Sequence, residues 1–338
     1  MNEIRVLILG MSGNVSQGIL KAIRNSGLNC YIVGACVISD TEGLYLCDKA
    51  YTSPYAISKE FIPWLFDLCV SEKIKIVFSG VEEVIDVISP VRENLLHETG
   101  AIFRASSPDK LEIGRDKLLT CRWLESHAFP APACRLSGEA NNLLEQYQYP
   151  LIAKPRRGKG SNGVFMVKNE EDLKKAMETS DYVVQEYIGN AEHEYTVGCY
   201  QSLNGFIPEP IIMHRTLKDG TSWKIEVVTD SAIRKLSEQI CAAFQPDGPL
   251  NIQLRLDKNG IPVPFELNVR FTGTTPMRAQ FGFCDVKAML LESVLHQSIE
   301  GIFSIQHGRA FRYINELYVM TGNLKREEIF IDTTGSRS

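Results

Sequence analysis

Residues 151–166, LIAKPRRGKGSNGVFM, combine closely spaced cations with three glycines. Lys154 ends a short apolar run, and the glycine-rich segment from Gly158 to Gly163 follows it. Glycines let backbone N–H groups approach a phosphate closely, and lysines add point charges. The pattern G-x-x-x-x-G-K-[ST] is absent, so this is not a Walker loop. Two interpretations remain open from these residues alone, a phosphate-binding loop and a solvated basic hairpin loop.

Acids at the ends of two later strands could contact the rest of a nucleotide. Glu186 lies near the end of the run VVQEY (183–187), where a carboxylate or a backbone carbonyl could accept a hydrogen bond from an adenine amino group. Glu194, in HEYTV, is placed to bind ribose hydroxyls. Each acid, taken singly, is equally consistent with a half-buried polar residue on a sheet.

Three oxygen-bearing side chains on adjoining predicted strands form a candidate metal site. They are Gln253 in NIQLRL and Glu266 and Asn268 in FELNVR. Glu266 and Asn268 are two residues apart, so they share one face of a strand. Hard oxygen ligands of this kind suit a Mg²⁺ ion that bridges nucleotide phosphates. Arg270 continues the same face, toward the phosphates or a developing oxyanion.

The first half of the chain alternates short apolar runs with helical patterns. This alternation predicts a parallel sheet with helices on both faces. The predicted strands are 4–9, 30–35, 74–78 and 101–106, and the predicted helices are 15–26, 60–72 and 82–96.

The pattern changes around Pro108, where one or two helices are expected over 109–127, followed by an extended FPAPAC linker. The sequence Asp257-Lys258-Asn259-Gly260 between two strands predicts a hairpin. Residues 330–338 read as a frayed tail. The other predicted strands are 150–155, 163–168, 182–187, 195–200, 207–212, 251–256 and 263–269, and the helices are 170–179, 231–244 and 285–296.

The early glycine segment GMSGNVSQG, residues 10–18, follows a strand and opens a helix, which invites a dinucleotide-binding interpretation. The spacing does not fit G-x-G-x-x-G, and Asp40 falls too late after the second strand to hold a ribose. Two interpretations remain: a tight strand-to-helix turn, or a helix N-terminus that faces a substrate anion.

Bulk composition excludes several classes of protein. The chain of 338 residues is 44% hydrophobic and 23% charged, as in ordinary globular proteins of two or three domains. A net charge of -5 argues against a general nucleic-acid binder. Apolar runs are too short for a membrane span, and the nine scattered cysteines suit a reducing cytoplasm. We therefore expect a cytoplasmic protein with neither membrane nor nucleic-acid partners.

The order of these motifs resembles the ATP-grasp superfamily, most closely stand-alone proteins similar to the large subunit of carbamoyl-phosphate synthase. The resemblance rests on Asp116-Lys117, FPAPAC, AKPRRGKGSNGV, QEYI, HEYTV, NIQ and FELNVRFTGTT. It implies an α/β and α+β protein in which two α+β subdomains clamp a nucleotide. The implied division is a Rossmann-like domain over 1–108, a lid subdomain over 109–185, and a central and C-terminal subdomain over 186–338.

The resemblance also implies a role for each matching residue. Lys117 and Lys154 would hold phosphates, under a cap formed by Gly158, Lys159, Gly160, Ser161, Asn162 and Gly163. Glu186 with the backbone of Tyr187 and Ile188 would bind adenine, and Glu194 the ribose. Glu266 and Asn268, with Gln253 as a further ligand, would hold Mg²⁺ (or Mn²⁺), and Arg270 would steady the transferred phosphoryl group. Family members commonly have an acid where this chain has Gly198.

The implied reaction is an ADP-forming ligation in which a carboxylate becomes an acyl phosphate and an amine displaces phosphate. Arg215 and Arg278 are candidates to hold a substrate carboxylate, with a surface ion pair as the alternative for each. Thr272 to Thr275, Trp223 and Lys224 could line the substrate cleft, whereas His193 and His214 are expected to be structural. The alternatives are phosphorylation of carbamate or carboxyphosphate, and a non-catalytic ATP-binding protein. A homodimer through the N-terminal domain is a further expectation.

Overall fold

The computed structural model describes residues 3–158, 160, 162–319 and 330–332. Within these ranges the chain forms three sheets, which are numbered here in chain order together with their helices. None of the helices in the described ranges is both long and apolar enough to cross a membrane. All nine cysteines are free thiols.

The first sheet is parallel and carries the N-terminal helices. Its strand order is β15-β3-β2-β1-β4, so the chain crosses over between β1 and β4. The strands are β1 (Ile4–Leu9), β2 (Cys30–Cys36), β3 (Lys49–Thr52), β4 (Ile76–Ser79) and β15 (Phe330–Asp332). The helices are α1 (Asn14–Arg24), α2 (Glu42–Tyr45), α3 (Phe61–Ser71), α4 (Glu82–Ile88) and α5 (Arg92–Thr99).

The second sheet is small and antiparallel, with strand order β5-β8-β6-β7. Its strands are β5 (Cys134–Leu136), β6 (Leu151–Pro155), β7 (Phe165–Val167) and β8 (Tyr182–Glu186). The helices α6 (Pro108–Arg115), α7 (Lys117–Ser126) and α8 (Glu170–Glu178) accompany it. The glycine-rich segment lies between β6 and β7, which pair as a hairpin.

The third sheet is the largest and is antiparallel, with strand order β13-β12-β9-β10-β11-β14. Its strands are β9 (Glu194–Gln201), β10 (Ile211–Lys218), β11 (Thr221–Val227), β12 (Gly248–Leu256), β13 (Pro262–Asn268) and β14 (Arg309–Phe311). The helices are α9 (Ser231–Phe244), α10 (Thr275–Gln280) and α11 (Asp285–Ser293). The expected hairpin is present between β12 and β13, where the Asp257 N–H donates to the Ile261 carbonyl.

The first and third sheets share hydrophobic cores, which hold the N-terminal helices against the third sheet. Leu9 of β1 and Leu250 of β12 belong to one buried cluster, and Ile19 of α1 and Met289 of α11 to another. A side chain at Gly18 would crowd Pro276 at the start of α10, 2.8 Å away. Gly18, the third glycine of GMSGNVSQG, therefore allows α1 to pack closely against α10.

Four sequence-based expectations about secondary structure are wrong. Residues 101–106 form only an isolated bridge, from Ile102 to Ile76. The helix expected over 82–96 divides into α4 and α5 at a 3-10 turn containing Pro90, which has no N–H to continue the helix.

The other two corrections concern strand ends. β10 begins only at Ile211, because two prolines in IPEP lack ladder donors. The tail is not frayed throughout: residues 330–332 form β15, which pairs with β3 of the first sheet rather than with the last predicted subdomain. The rest of the tail, 333–338, lies outside the described residues.

Candidate active site

A cavity of about 150 Å³ lies between the second and third sheets and collects most of the motif residues. The strand ends of β6 and β8 form one wall, and β9, β10, β12 and β13 form the other. We call it the first cavity. The predicted residues that line it are Lys117, Lys154, Gly158, Gly160, Asn162, Glu186, Tyr187, Ile188, Glu194, Arg215, Gln253 and Glu266.

The two predicted phosphate-binding lysines stand at the same end of the first cavity. Lys117 begins α7 directly after the N-cap Asp116, and its Nζ donates to the Gly158 carbonyl at 3.2 Å. Lys154 Nζ lies 4.8 Å from the centre of the Phe265 ring. Burial lowers the pKa of Lys154 to about 8, and the neighbouring Lys117 cation adds to that shift while Glu266 opposes it. The lysine is thus a desolvated cation beside an open cavity.

The glycine-rich loop closes over this end in the conformation seen here. Gly160 and Gly163 adopt positive φ angles of 69° and 74°, which residues with a Cβ rarely adopt. A Cβ at Gly220, in the turn between β10 and β11, would collide with the Gly160 carbonyl. The loop therefore rests on that turn. Lys159 and Ser161 lie outside the described residues.

The opposite end of the first cavity is formed by the segment that follows β8. Glu186 is half-buried, and its Oε2 accepts from the Ala133 N–H at 3.4 Å. Burial raises the pKa of this carboxyl. Tyr187 stacks under the Arg255 guanidinium, 5.0 Å from the ring centre, and Ile188 is buried beside it. An apolar slot with polar ends suits a flat heteroaromatic base.

Glu194 has partners that the sequence analysis missed. It is 4% exposed, and its Oε1 accepts from Arg215 Nε and Nη2 at 3.0 and 2.6 Å. Its Oε2 accepts from Arg255 Nε and Nη2 at 2.9 and 2.7 Å. Burial alone would raise the pKa of Glu194, but the two guanidinium groups hold it below its usual value. All four lone-pair positions are occupied, so a ribose contact requires one arginine to move.

Arg215 forms the wall between the first cavity and a second one. It is 8% exposed, so the surface ion pair considered above is wrong. Besides Glu194, its Nη2 donates to Gln253 Oε1 at 2.7 Å. Arg215 and Gln253 line both cavities, as do Glu266 and Gly160.

The proposed metal ligands meet at this junction. Asn268 Nδ2 donates to Glu266 Oε1 at 3.0 Å, which places both side chains on one face of β13, as the spacing predicted. Gln253 lies opposite Glu266 in the β12–β13 register. The described residues contain no group of three or more His, Cys, Asp or Glu that could hold a metal. The donor set is instead one carboxylate with two amides, which fits a hard cation partly ligated by phosphate.

The second cavity, of about 340 Å³, opens between the first and third sheets. Its N-terminal wall comes from Gly13 and Asn14 at the start of α1 and from the Gly80–Glu82 turn before α4. Its opposite wall includes Thr272, Gly273 and Thr274. The early glycine segment therefore serves as a tight turn at Gly10, with φ of 75°, and also presents a helix N-terminus to a cavity.

Two of the candidate catalytic arginines differ sharply in accessibility. Arg270 lines the second cavity and donates from Nε to Glu82 Oε1 at 2.9 Å. Arg278 is 0% exposed, pairs with the equally buried Asp285, and lines neither cavity. The prediction that Arg278 directly holds a substrate carboxylate is therefore wrong, because α10 directs its side chain into the core.

The remaining cleft candidates line neither cavity. Trp223 and Lys224 on β11 stack with Lys218 and Phe311, respectively. His214 contacts the Glu192 carbonyl, and no cavity contact places His193 in the site. Sequence reasoning missed Arg255, Asn14 and Gly220. Of these, only Asn14 could have been found from the sequence, because it follows Gly13 at the predicted start of a helix.

Known proteins resemble this chain in its middle segment and in its overall fold. Residues 114–274 match the model of the ATP-grasp domain. A D-alanine–D-alanine ligase from Marinomonas sp. (strain MWYL1) is 35% identical over 112 residues, which cover 30% of this chain and 35% of that protein. The chain thus spans about a third of that curated relative.

Solved structures extend the similarity to most of the chain at the level of the fold. The N5-carboxyaminoimidazole synthetase from Staphylococcus aureus, complexed with ADP, superposes with a TM-score of 0.70 at 17% identity, covering 88% of this chain and 78% of that one. The L-amino acid ligase from Bacillus licheniformis gives 0.65 at 16% identity, covering 86% and 74%. Residues 114–274 of this chain thus match the ATP-grasp domain model, and most of the chain shares the fold of these solved structures.

Proposed function

We propose that the protein is an ATP-dependent ligase that activates a carboxylate as an acyl phosphate and joins it to an amine, releasing ADP and phosphate. The observation that carries this proposal is the meeting of two cavities at Arg215, Gln253 and Glu266. A nucleotide in one cavity and an acid in the other would bring a phosphoryl group and its acceptor to a shared, charged boundary.

The first cavity would take ATP. Lys117 and Lys154 offer two cations to its phosphates, and the desolvated Lys154 gains most from an anionic partner. The loop from Gly158 to Gly163 would cover the phosphates, with Lys159 and Ser161 as further donors. Glu186 and the backbone of Tyr187 and Ile188 would bind adenine. Glu194 would reach the ribose if Arg215 or Arg255 shifts.

Glu266 and Asn268 would hold Mg²⁺ or Mn²⁺, with Gln253 as an additional ligand after it leaves Arg215. When bound, the ion would neutralise charge on the transferred phosphoryl group. The side chains of this chain supply the remaining charge at the boundary. Arg270 would steady the phosphoryl group from the second cavity, where Glu82 now orients it.

The second cavity would take the acid and the amine. Its volume of about 340 Å³ admits a compact metabolite rather than a polymer. Charge neutralisation and positioning carry phosphoryl transfer, so no protein nucleophile is needed. The closed loop would keep water from an acyl phosphate, which would otherwise hydrolyse. We expect these substrates to be cytoplasmic small molecules, and we expect a homodimer through the N-terminal domain.

The decisive experiment is to incubate the protein with ATP and Mg²⁺ against pools of carboxylates and amines, and to measure ADP and phosphate release. Release that requires one acid and one amine, with a new product mass, supports the ligase. Glu266→Gln should abolish it without unfolding the protein. Asn204→Asp, a change in an exposed loop, is the matched surface control.

Two other outcomes would redirect the assignment. ADP release only with bicarbonate or carbamate would identify a carboxyphosphate- or carbamate-phosphorylating enzyme. ATP binding without turnover on any pool would favour a regulatory, non-catalytic role and would contradict the ligase proposal.

A further inference from the structure

Asn251 on β12 holds an unpaired donor at the wall of the second cavity. The residue is 1% exposed and lines that cavity, but it does not line the first. Its side-chain Nδ2 is buried and has no hydrogen-bond partner in the described part of the chain. A buried amide donor left unsatisfied is unfavourable, so native proteins rarely keep one without a use.

The orientation of this amide is determined by three donors behind it. Asn251 Oδ1 accepts from Thr196 Oγ1 at 3.0 Å, Thr272 Oγ1 at 3.4 Å and Arg278 Nη1 at 3.5 Å. Rotating the amide by 180° would direct Nδ2 at the Arg278 cation, which can only donate. The oxygen therefore faces the three donors, and Nδ2 occupies the other side of the amide without a partner among the described residues.

The buried ion pair behind Asn251 depends on a glycine on the neighbouring strand, β9. A Cβ at Gly198 would meet Arg278 Cδ at 3.0 Å and Nη1 at 3.2 Å. Gly198 pairs with Asn251 in the β9–β12 register, so the missing side chain leaves room for the guanidinium directly beneath the amide. Asp285 neutralises Arg278 there.

We propose that Asn251 Nδ2 binds an oxygen of the reacting carboxylate of the acid substrate, and that Arg278 is the residue that positions it. This inference rests on the proposed ligase function and assigns one contact within it. Asn251 lies opposite Asn268 in the β12–β13 register, next to the boundary of the two cavities. A substrate ammonium brings only donors and would leave Nδ2 unpaired, whereas a carboxylate or acyl-phosphate oxygen accepts.

The test uses acetylphosphonate, an inert analogue of the smallest acyl phosphate. It is titrated by calorimetry into the full-length protein saturated with Mg²⁺ and ADP. Asn251→Asp keeps Oδ1 for its three donors and exchanges the Nδ2 donor for an oxygen. We expect it to weaken acetylphosphonate binding by about tenfold or more, and to leave ADP affinity within about twofold. Asn204→Asp is the control for the same chemical change and should bind like wild type.

Arg278→Lys keeps the charge opposite Asp285 but withdraws Nη1 from Asn251. We expect about a threefold to tenfold loss for acetylphosphonate, again without a change in ADP affinity. A variant that had only lost structure would bind both ligands more weakly. If Asn251→Asp does not fold, Arg278→Lys alone tests whether Asn251 binds the substrate oxygen.

Equal acetylphosphonate binding by wild type and both variants would overturn the inference. So would a wild-type protein that binds ADP but not acetylphosphonate, because a carboxylate-activating site formed by these residues must accept the smallest acyl-phosphate analogue. A wild-type protein that does not bind ADP at all would instead overturn the proposed function.

Discussion

The two cavities are built in different ways, although they share a wall. The first is lined by residues within the segment that matches the ATP-grasp model, such as Lys154, Glu186 and Glu266 in its short motifs. The second takes its wall from α1 and the β4–α4 turn of the first sheet as well as from the segment after β13. The proposed nucleotide site therefore depends on local motifs, whereas the proposed acceptor site depends on how the first and third sheets pack.

The largest expected effect is at the phosphate end of the first cavity. Lys154→Met should weaken ADP binding by about 2–5 kcal/mol, because the variant loses a desolvated cation from a charge pair with phosphate. Fluorescent-nucleotide titration would measure this change. Lys168→Met, a change on an exposed lysine, is the control and should have little effect. Unchanged affinity in Lys154→Met would place the phosphates elsewhere.

Arg270→Gln should show whether the two cavities contribute separately to nucleotide binding and to ligation. Of these two cavities Arg270 lines the second and not the first, so we expect ADP affinity to stay within about twofold while ligation falls by a factor on the order of 10². The measurement pairs nucleotide titration with ADP release in the presence of the identified acid and amine. A large loss of nucleotide affinity would mean that the cavities act as a single site.

The pH dependence of nucleotide binding should report on Lys154. Burial lowers its pKa to about 8 in the free site, and only its protonated form attracts phosphate. Affinity should therefore be full well below pH 8 and should fall as pH rises through about 8, by up to about tenfold per unit. Nucleotide titrations from pH 6.5 to about 9.5 would measure it. Lys154→Arg, whose guanidinium stays charged, should give a flat profile over the same range.

The smallest effect concerns the resting place of the glycine-rich loop. Gly220→Ala should weaken ADP binding a few-fold, because its new Cβ would displace the Gly160 carbonyl and hold the loop open. Gly260→Ala is the matched control: its φ of 78° is similarly positive, but a Cβ there meets nothing within 4 Å. Equal losses in both variants would indicate backbone strain alone and no contact between the loop and the turn.

Sequence reasoning was most successful where function and local geometry depend on neighbouring residues. The two-residue spacing of Glu266 and Asn268 correctly predicted a shared face, and α9 was predicted with its observed ends, Ser231–Phe244. Reasoning failed for Arg278, since nothing in TPMRAQFGF shows that α10 turns this side chain into the core. It also failed to find Asn251, whose significance depends on the absence of a partner for one atom.

By itself, the sequence determined the local components: the parallel first sheet, the cation-rich glycine loop, and the alternating carboxylate and amide of β13. These follow from periodicity and backbone conformation, which act over a few residues. Only the tertiary structure decided which charges remain available to a ligand. The Glu194 carboxylate accepts hydrogen bonds from both Arg215 and Arg255. Arg278 is buried in an ion pair with Asp285, whereas Lys154 lines an open cavity. Those differences arise from burial and pairing between residues far apart in the chain.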